Sequence, residues 1–578
     1  MVEGTRTLAA PEWGVKAMCA RSALWQARPD GANVRAHPSP PHMSFRHSSC
    51  RPCRLVPLAL LAACSAGAQP RAVAAPQPPA RPTLVVLVTV DQFGSDYLER
   101  YGGNLTGGIA RLRDEGATWV RGRQDHAIAE TAPGHASTLS GRFPVHTGIA
   151  SNSQGVNTSD APLIGAGDVG ASPFRFRGTT LYDWMQAADP ATRVLSVSRK
   201  DRGAILPIGR AKADVYWYAS NGVFTTSTYY RDTLPSWVKA FNGRRIPQSY
   251  AGRDWVPLLP GDRYAEADSN ALEAGGREYA FPHRLPSDPA AAASAIRDTP
   301  FMDSLTLAFA LEGVRTMGLG ASASRTDLLA VSLSSTDAVG HKYGPDSKEI
   351  HDQILRVDRY LGAFLDSLTA LRGAGRIIVA LTADHGVAPL PEWRSSYYRN
   401  EHAQRVDTRH VWTLVRAAMR AAGVDTTAAD ADDGFRVVDP AAFARAGVDP
   451  DAIAAVWVRE LRRLNGVLRA DLMRDLAQAD TVQDVIARRW LHMLPVDGPV
   501  RAVVTFEPFG YWQGVTYASH GFPHDYDTQV PVILWGPGIA SGHRGGEARV
   551  VDLAPTLAAL LGIRPLEPLD GRVLPVRP

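Results

Sequence analysis

Carboxylates and histidines flank the apolar segments of this sequence in a pattern that suits metal chemistry. The six candidates are Asp91, Asp337, His341, Asp384, His385 and His520. Imidazole and carboxylate ligands without sulfur favour catalytic zinc, with manganese and magnesium as weaker options. Six ligands are too many for one catalytic zinc that keeps an open position, so they divide into two sites of three. Two metals about 4 Å apart would hold the attacking and leaving oxygens of an in-line displacement at phosphorus.

Each of these residues also has an ordinary structural explanation. Asp337 and His341 are four residues apart, which is the spacing of a surface pair on a helix. The triplet Asp384–Gly386 is also typical of a turn with a capping aspartate. His520 is compatible with a hydrogen-bonded core histidine. Their shared placement at the ends of predicted strands favours metal ligation over a set of unrelated explanations.

The segment AETAPGHAS, residues 129–137, offers a hydroxyl group at Thr131. A threonine shortly before Pro and Gly is most often a helix cap or a turn residue. A hydroxyl bound to a divalent metal, however, has a lowered pKa and becomes a nucleophile near neutral pH without a histidine base. If Thr131 also opens a helix, backbone N–H groups there would face an anion. Both interpretations remain open on these residues alone.

Predicted strands place the candidates at one edge of a sheet. Apolar, β-branched runs occur at 83–90, 328–333, 377–382 and 531–535, and an amphipathic segment spans 348–369. Strands that alternate with helices predict an α/β fold, with a mostly parallel central sheet and helices on both faces. In such sheets, ligands bind at the carboxyl ends of the strands.

Two long segments fit this sheet poorly. Residues 157–325 are rich in Tyr, Trp, Gly and Pro, and residues 388–499 are rich in Ala and Arg with a helical pattern. We interpret both as insertions that build a cap or rim on a catalytic domain spanning 83–565, and residues 43–82 as a signal peptide and linker. The sequence contains no internal repeat and no glycine-rich nucleotide fingerprint.

Charge and cysteine content exclude several classes of function. Residues 1–80 carry nine Lys and Arg against three Asp and Glu, which leaves residues 81–578 with a formal net charge of −2. A near-neutral body gives no argument for nucleic-acid binding. The four cysteines are Cys19, Cys50, Cys53 and Cys64. Since all of them precede residue 81, the remainder cannot use a disulfide, a thiolate nucleophile or Cys-ligated zinc.

The basic leader has the order of a secretory signal. Met43 starts a basic stretch, the apolar run Leu55–Ala63 follows, and small residues come next, which predicts export to the bacterial periplasm or the outer membrane. The run is too short to span a bilayer. Residues 1–42 lack this pattern, and we expect them to be a non-native upstream extension. Cys64 completes a segment like a bacterial lipobox, so a lipid anchor at Cys64 and plain cleavage after Ala68 are equally supported.

Two segments around Thr131 resemble the alkaline phosphatase superfamily, and the resemblance covers nearly all of residues 83–565. Phosphodiesterases of the nucleotide pyrophosphatase type carry a T-x-P-x-H segment like TAPGH at 131–135, with an Asn after an H-x-G-I turn like HTGIASN at 146–152. By this resemblance Thr131 is the nucleophile that becomes phosphorylated, and Asn152 hydrogen-bonds a phosphoryl oxygen. It also implies one zinc site of Asp91, Asp384, His385 and Thr131, and a second of Asp337, His341 and His520.

A further segment indicates the subgroup. SRKDRGAILP at 198–207 and GVFTTSTYY at 222–230 are similar to segments of the phosphate-irrepressible (PafA-type) alkaline phosphatases. In that group the residues that match Lys200 and Arg202 contact the transferred phosphoryl group, whereas the alternative for this basic pair is a solvated charge cluster. Fixed cations stabilise the extra charged oxygen of a phosphate monoester in the transition state, but a diester carries an organic group there. Lys200 and Arg202 therefore favour monoesterase activity.

These arguments predict an exported alkaline phosphatase with an alkaline-phosphatase-like three-layer α/β fold, two zinc ions per chain and small-molecule phosphate monoesters as substrates. Hydrolysis would pass through phospho-Thr131, with water activated at the Asp337, His341 and His520 zinc. A phosphodiesterase or nucleotide pyrophosphatase with the same metals is the nearest alternative. A sulfatase is less favoured because threonine cannot mature to formylglycine. A binding protein whose catalytic site had decayed would lack at least one metal-ligating residue, and every expected metal-ligating residue is present.

Overall fold

The computed structural model of the chain describes residues 81–398, 403–431 and 434–577. The strands are β1 (Leu84–Val90), β2 (Ala117–Arg123), β3 (Val194–Ser198), β4 (Asp214–Tyr218), β5 (Phe224–Thr225), β6 (Asp254–Trp255), β7 (His283–Arg284), β8 (Asp327–Leu333), β9 (Ile377–Thr382), β10 (Arg405–Val406), β11 (Ala429–Ala431), β12 (Phe435–Val437), β13 (Val467–Leu472), β14 (Val500–Phe506), β15 (Tyr511–Trp512), β16 (Gln529–Trp535) and β17 (Gly542–His543). The helices are α1 (Asp96–Arg100), α2 (Gly108–Glu115), α3 (Thr131–Ser140), α4 (Pro144–Thr147), α5 (Leu181–Ala188), α6 (Asp201–Ile205), α7 (Ser236–Gly243), α8 (Pro289–Ala295), α9 (Phe301–Met317), α10 (Ser335–Tyr343), α11 (Lys348–Arg372), α12 (Pro391–Tyr398), α13 (Arg409–Ala421), α14 (Pro440–Ala446), α15 (Pro450–Leu461), α16 (Met473–Leu476), α17 (Val485–Met493), α18 (Asp525–Thr528) and α19 (Leu553–Leu561).

The predictions for residues 1–80 lie outside the described residues, including the signal peptide and the lipid anchor at Cys64. The described residues belong to one compact unit, which spans Pro76–Pro578. Within the part of the chain that the structure describes, no helix combines the length and the apolar character needed to cross a membrane.

Nine strands form the central sheet, in the order β17–β2–β16–β9–β1–β8–β3–β4–β5. Five neighbouring strands, from β9 to β4, run parallel. Every residue of β1, β8 and β9 is buried, as expected for strands covered on both faces. The four predicted strands, the helix predicted from 348 and the mostly parallel α/β fold are confirmed. Because β9, β1 and β8 are parallel neighbours, the residues that follow them meet at one edge of the sheet.

Strand β16 departs from the parallel arrangement. It pairs antiparallel with β9 on one side and with β2 on the other. When all strands of a sheet are parallel, the residues that precede the strands lie at one edge of the sheet and the residues that follow them lie at the opposite edge. The reversed direction of β16 therefore lets His520, which precedes it, reach the edge where β1, β8 and β9 end.

Residues 157–325 contribute more to the sheet than an inserted cap would. They supply β3, β4 and β5, which form one end of the sheet. The segments of β3 and β4, VLSVS and DVYWY, are only five residues long. Their serine and aromatic residues prevent a continuous aliphatic run like the one that made β1 recognisable in the sequence. Helix α9 packs against β3 and β8. Strands β6 and β7 pair with each other, outside the central sheet.

The second long segment has an apolar core of its own. Strands β11, β12, β14 and β13 form an antiparallel sheet in that order, and α15 packs against β13 and β14. Buried side chains such as Val415, Phe435 and Trp457 fill the space between the helices and this sheet. The helical pattern of the segment is confirmed, whereas its short strands were not expected.

Helix α3 carries Thr131 at its first residue and packs closely on the end of β9. All ten of its residues are buried. At Gly134, an added Cβ would lie 2.3 Å from the carbonyl oxygen of Asp384. Glycine at this position therefore allows the helix to bring Thr131 next to the residues that follow β9.

Replacing Gly134 with alanine is expected to lower the free energy of unfolding by about 1–3 kcal/mol, because the new methyl group would overlap rigid backbone. Gly243→Ala is the matched control, since Gly243 ends α7 and nothing lies within 4 Å of its added Cβ. The control should change that free energy by less than about 1 kcal/mol. Denaturant unfolding followed by circular dichroism measures both, and equal small effects would contradict the packing of α3 on Asp384.

Candidate active site

Asp91, Asp384 and His385 form one group of possible metal ligands. Asp91 follows β1, while Asp384 and His385 come shortly after its neighbour β9. The ligand atoms of the three residues lie within 4.8 Å of one another, and all three side chains are buried. His385 Nε2 is 3.4 Å from Asp91 Oδ1 and 3.7 Å from Asp384 Oδ2. The structure therefore brings together the first set of residues predicted from the sequence.

Asp337, His341 and His520 form a second such group. Asp337 and His341 are one turn apart on α10, so their side chains share a face of the helix. The Nε2 atoms of His341 and His520 are 3.2 and 3.7 Å from Asp337 Oδ1. The rings of His385 and His520 stack with centroids 3.6 Å apart, so the two groups are adjacent.

Each of the three imidazoles is oriented by a backbone carbonyl. The Nδ1 atoms contact carbonyl oxygens in three pairs: His341 with Ala518 at 2.6 Å, His385 with Gly386 at 2.9 Å and His520 with Ala129 at 2.9 Å. Since a carbonyl oxygen can only accept, each Nδ1 donates and each Nε2 faces the carboxylates. Histidines that bind metals are commonly held in this way.

Thr131 lies beside both ligand groups, and Lys200 links it to them. The Oγ1 atom of Thr131 is 3.4 Å from His385 Nε2. Lys200 Nζ donates to Thr131 Oγ1 at 3.1 Å. The same ammonium group is 2.7 Å from Asp91 Oδ2 and 2.7 Å from Asp337 Oδ2. Lys200 therefore contacts the predicted nucleophile and one carboxylate of each group.

Asn152 and Glu130 fix the start of α3. Asn152 Oδ1 accepts a hydrogen bond from the N–H of Ala132 at 2.9 Å. The N–H of Asn152 donates to Glu130 Oε2 at 2.6 Å. These two bonds hold Asn152 at the end of the helix where Thr131 lies.

Arg202 lies next to Lys200 but is not shown in contact with Thr131. Both residues line one cavity, together with Arg199 and Arg297. Arg202 Nε is buried and has no hydrogen-bond partner among the described residues. The ion pair that the structure shows for Arg202 is with its neighbour Asp201, at 3.6 Å. The geometry places this guanidinium beside the site without fixing what it binds.

Two supporting residues were missed by the sequence reasoning. Gln92 donates from its backbone N–H to Asp384 Oδ1 and from its side chain to Asp337 Oδ1, both at 3.1 Å. It adopts a φ of 63°, which no local sequence signal predicts for glutamine. His135 Nδ1 is 3.0 Å from Asp384 Oδ2. His135 is the last residue of the T-x-P-x-H segment, and that position was the only signal available for it.

Nearby charges shift the pKa of one residue in each ligand group. Burial would raise the pKa of the Asp337 carboxyl, but Lys200 and His341 outweigh burial and hold that pKa well below its usual range. Burial would lower the pKa of His385, but Asp384 and the other nearby carboxylates outweigh it and raise the pKa to about 9. Neighbouring opposite charges thus stabilise the charged forms of the Asp337 carboxylate and the His385 imidazole.

The residues present suit divalent cations at both groups. Each group combines carboxylate and imidazole ligands without sulfur, which is a donor set that zinc accepts. Asp91 Oδ1 is buried and lies 3.4 Å from His385 Nε2. A divalent ion held by both atoms would offset the cost of burying the carboxylate. Three protein ligands per ion would leave a position open for substrate.

Comparison with known proteins agrees with this geometry. Residues 85–480 match the family model for type I phosphodiesterase / nucleotide pyrophosphatase. The chain is 31% identical to alkaline phosphatase PhoV of Synechococcus elongatus, over 90% of this chain and 98% of that protein. It is 32% identical to alkaline phosphatase PhoK of a Sphingomonas species, over 85% of this chain and 91% of that protein.

A solved structure shows the same fold. The crystal structure of wild-type alkaline phosphatase PafA superposes with a TM-score of 0.78 and 27% sequence identity, over 86% of this chain and 98% of that one. The family match covers more than half of the chain, and the similarity to alkaline phosphatases covers most of it. The chain therefore belongs to the type I phosphodiesterase / nucleotide pyrophosphatase family.

Proposed function

We propose that this protein is a metal-dependent phosphomonoesterase of the alkaline phosphatase type, which hydrolyses small-molecule phosphate monoesters through a phosphothreonine at Thr131. The similarity to proteins named alkaline phosphatases supports the reaction class. The leader sequence supports export to the periplasm or the outer membrane, with a lipid at Cys64 or free after cleavage.

The observation that carries this proposal is the position of Thr131. Its Oγ1 lies within 3.4 Å of His385 Nε2 and 3.1 Å of Lys200 Nζ, at the N-terminus of α3. A hydroxyl that only capped the helix would need neither an ammonium group nor a metal-ligand cluster. The helix N-terminus also favours a phosphoryl group there, because its backbone N–H groups and its dipole attract anions.

We infer two zinc ions, one held by Asp91, Asp384 and His385 together with Thr131 and one by Asp337, His341 and His520. When bound, such ions act as Lewis acids that lower the pKa of a ligating hydroxyl and stabilise charge on oxygens at phosphorus. The two adjacent groups of carboxylate and imidazole ligands support this inference.

The protein's own residues would carry out the two half-reactions. In the first, Thr131 Oγ1 forms a bond to phosphorus while the ester oxygen leaves with the alcohol. In the second, water attacks phosphorus, inorganic phosphate leaves and Thr131 is restored. Lys200 Nζ already donates to Thr131 Oγ1, so it can stabilise the alkoxide and then a phosphoryl oxygen. Asn152 uses Oδ1 to accept from Ala132, which leaves its Nδ2 group to donate to phosphoryl.

Lys200 and Arg202 support hydrolysis of monoesters over diesters. Both line one cavity, and Lys200 is in contact with Thr131. Cations fixed at this position stabilise the third charged oxygen of a monoester, which a diester replaces with an organic group. Phosphodiesterase activity is the second candidate, and the name of the matching family supports it. The two candidate functions use the same metals and Thr131. They differ in the substrate group that faces Lys200 and Arg202, which is a charged oxygen in a monoester and an organic group in a diester.

Thr131→Ala is expected to lower kcat/KM for phosphate monoesters by at least about a thousandfold, because no other hydroxyl would be placed to attack phosphorus. Thr131→Ser is the matched control and should keep activity well above that of Thr131→Ala. Acid quenching during turnover, followed by mass spectrometry, should find a phosphorylated peptide that contains residue 131 in the wild type and in Thr131→Ser, but not in Thr131→Ala. A Thr131→Ala protein with a rate near the wild type would contradict the proposed intermediate.

The metal content of purified protein tests the ligand groups. The wild type is expected to contain two zinc ions per chain, and His341→Ala should reduce this to about one, because a catalytic zinc rarely stays bound with two protein ligands. His410→Ala is the control, since His410 is exposed on α13, and it should keep both ions. Elemental analysis measures the ratio. Absence of stoichiometric metal in the wild type would favour a binding protein over an enzyme.

A further inference from the structure

A cavity of about 370 Å³ lies where β3 and β4 end, and Lys200 is part of its wall; we call it the arginine cavity. Strands β3 and β4 are parallel neighbours, so the residues that follow them meet at the edge of the sheet that holds the ligand groups. The volume falls within the range of small-molecule pockets and is larger than a phosphoryl group needs. The cavity can therefore hold part of the substrate besides that group.

Cations outnumber carboxylates in the wall of the arginine cavity. The charged residues that line it are Arg199, Lys200, Arg202, Arg297, Asp168 and Asp201. Both carboxylates already accept hydrogen bonds from backbone N–H groups: Asp201 Oδ1 from Arg202 at 2.6 Å and Asp168 Oδ2 from Ser220 at 3.0 Å. An excess of positive charge in a concave surface attracts anions, so an anionic ligand is favoured here.

The Arg199 guanidinium has a donor that no described residue uses. Its side chain is 14% exposed, and its Nε is buried without a hydrogen-bond partner among the described residues. Its Nη1 is 3.2 Å from Asp298 Oδ1, but the Asp298 side chain is 61% exposed, so this ion pair is weak. A buried donor without a partner costs free energy, and a bound oxyanion would offset that cost.

Arg297 brings a second guanidinium to the arginine cavity. It lies in the turn Ile296–Asp298, directly before the aspartate that contacts Arg199. Its Nε donates to the carbonyl oxygen of Ser294 at 3.1 Å. Within the part of the chain that the structure describes, Arg297 forms no ion pair with a carboxylate. Its charge is therefore available to an anionic ligand.

The arginine cavity adjoins the side of the site from which the alcohol leaves. Lys200 Nζ and Arg199 Nη2 both approach Asp337 Oδ2, at 2.7 and 3.9 Å. Asp337 belongs to the second ligand group, whereas Thr131 contacts His385 of the first. In an in-line displacement the leaving oxygen departs opposite the attacking one. The alcohol portion of a substrate would therefore extend on the side where Arg199 lies.

We propose that the arginine cavity binds a second oxyanion of the substrate, so that the enzyme selects phosphate monoesters whose alcohol carries a carboxylate or a second phosphate. This inference rests on the proposed phosphomonoesterase function and adds a substrate class to it. Arg199 and Arg297 determine this specificity, because a guanidinium donates two parallel hydrogen bonds to either oxyanion. Lys200 and Arg202 hold the transferred phosphoryl group.

The test compares 4-(phosphonooxy)butanoate with 4-(phosphonooxy)butanamide, which have the same size and the same alcohol chain and differ in one charge. Homologues with one methylene group fewer and one more vary the distance between the two oxyanions. At the best chain length, the zinc-loaded wild type should prefer the carboxylate in kcat/KM by at least about tenfold, the effect of hydrogen bonds between charged groups.

Arg199→Gln and Arg297→Gln should each lower this preference to below about threefold, because each removes one charge-assisted contact. Arg297→Lys keeps the charge and should retain more of the preference than Arg297→Gln. Arg210→Gln is the matched control, because Arg210 is exposed and lies outside the arginine cavity, and it should keep the full preference. Since the preference is a ratio, an effect of a variant on the chemical step cancels.

A bisphosphate substrate identifies the oxyanion. If kcat/KM for butane-1,4-diol bisphosphate exceeds that for the carboxylate by more than its two equivalent esters explain, the arginine cavity is a phosphate site. The opposite order would assign it to carboxylates. Both results support the proposal only if Arg297→Gln loses the advantage of the preferred substrate.

Calorimetric titration of the zinc-loaded protein provides a readout that needs no turnover. The wild type should bind 5-phosphonopentanoate at least about tenfold more tightly than 5-phosphonopentanamide, and Arg297→Gln should bring the two affinities within about threefold. A wild-type ratio near one at every chain length, or a ratio that both glutamine variants retain, would overturn the proposal and leave the phosphomonoesterase function intact. Failure to hydrolyse any of the esters would instead contradict the proposed function, and the titrations would still decide whether the cavity binds an oxyanion.

Discussion

Three buried carboxylates, two of them in contact with one ammonium group, set the constraint on which the site depends. Asp91, Asp337 and Asp384 are almost fully buried, and like charges in a medium of low dielectric require nearby cations. Lys200 meets this requirement in part, with its Nζ 2.7 Å from an oxygen of both Asp91 and Asp337. The same ammonium group donates to Thr131. Lys200 therefore both balances the charge of the carboxylates and contacts the hydroxyl that reacts.

The sheet produces this convergence from residues far apart in the chain. Strands β9, β1 and β8 are parallel neighbours, and each delivers a carboxylate at its carboxyl end. Strand β3 pairs with β8 and is followed directly by Lys200, so the cation arrives at the same edge. Strand β16 runs in the opposite direction and brings His520 from its amino end. The cavity around Lys200 and Arg202 is lined by residues of the first long segment, 157–325.

The six candidate ligands could be predicted because long apolar strands are recognisable in the sequence and ligands bind at the carboxyl ends of such strands. The assignment of each residue to one of two groups came from the resemblance to the alkaline phosphatase superfamily. The sequence could not predict the direction of β16, since strand direction depends on pairing partners and leaves no local pattern. Strands β3 and β4 were missed because serines interrupt the aliphatic residues of VLSVS and DVYWY is mostly aromatic, so neither is a continuous aliphatic run. Gln92 was missed because its left-handed backbone is imposed by contacts with Asp384 and Asp337.

The most direct test of the central claim is a comparison of kcat/KM for matched aryl phosphate monoester and diester substrates, in the zinc-loaded wild type and in Arg202→Ala. If Lys200 and Arg202 face the transferred phosphoryl group, the wild type should prefer the monoester by at least about a hundredfold, and Arg202→Ala should lose at least about tenfold more on the monoester than on the diester. A diester preference in the wild type would contradict the phosphomonoesterase assignment, and equal losses in Arg202→Ala would show that this guanidinium is a solvated charge.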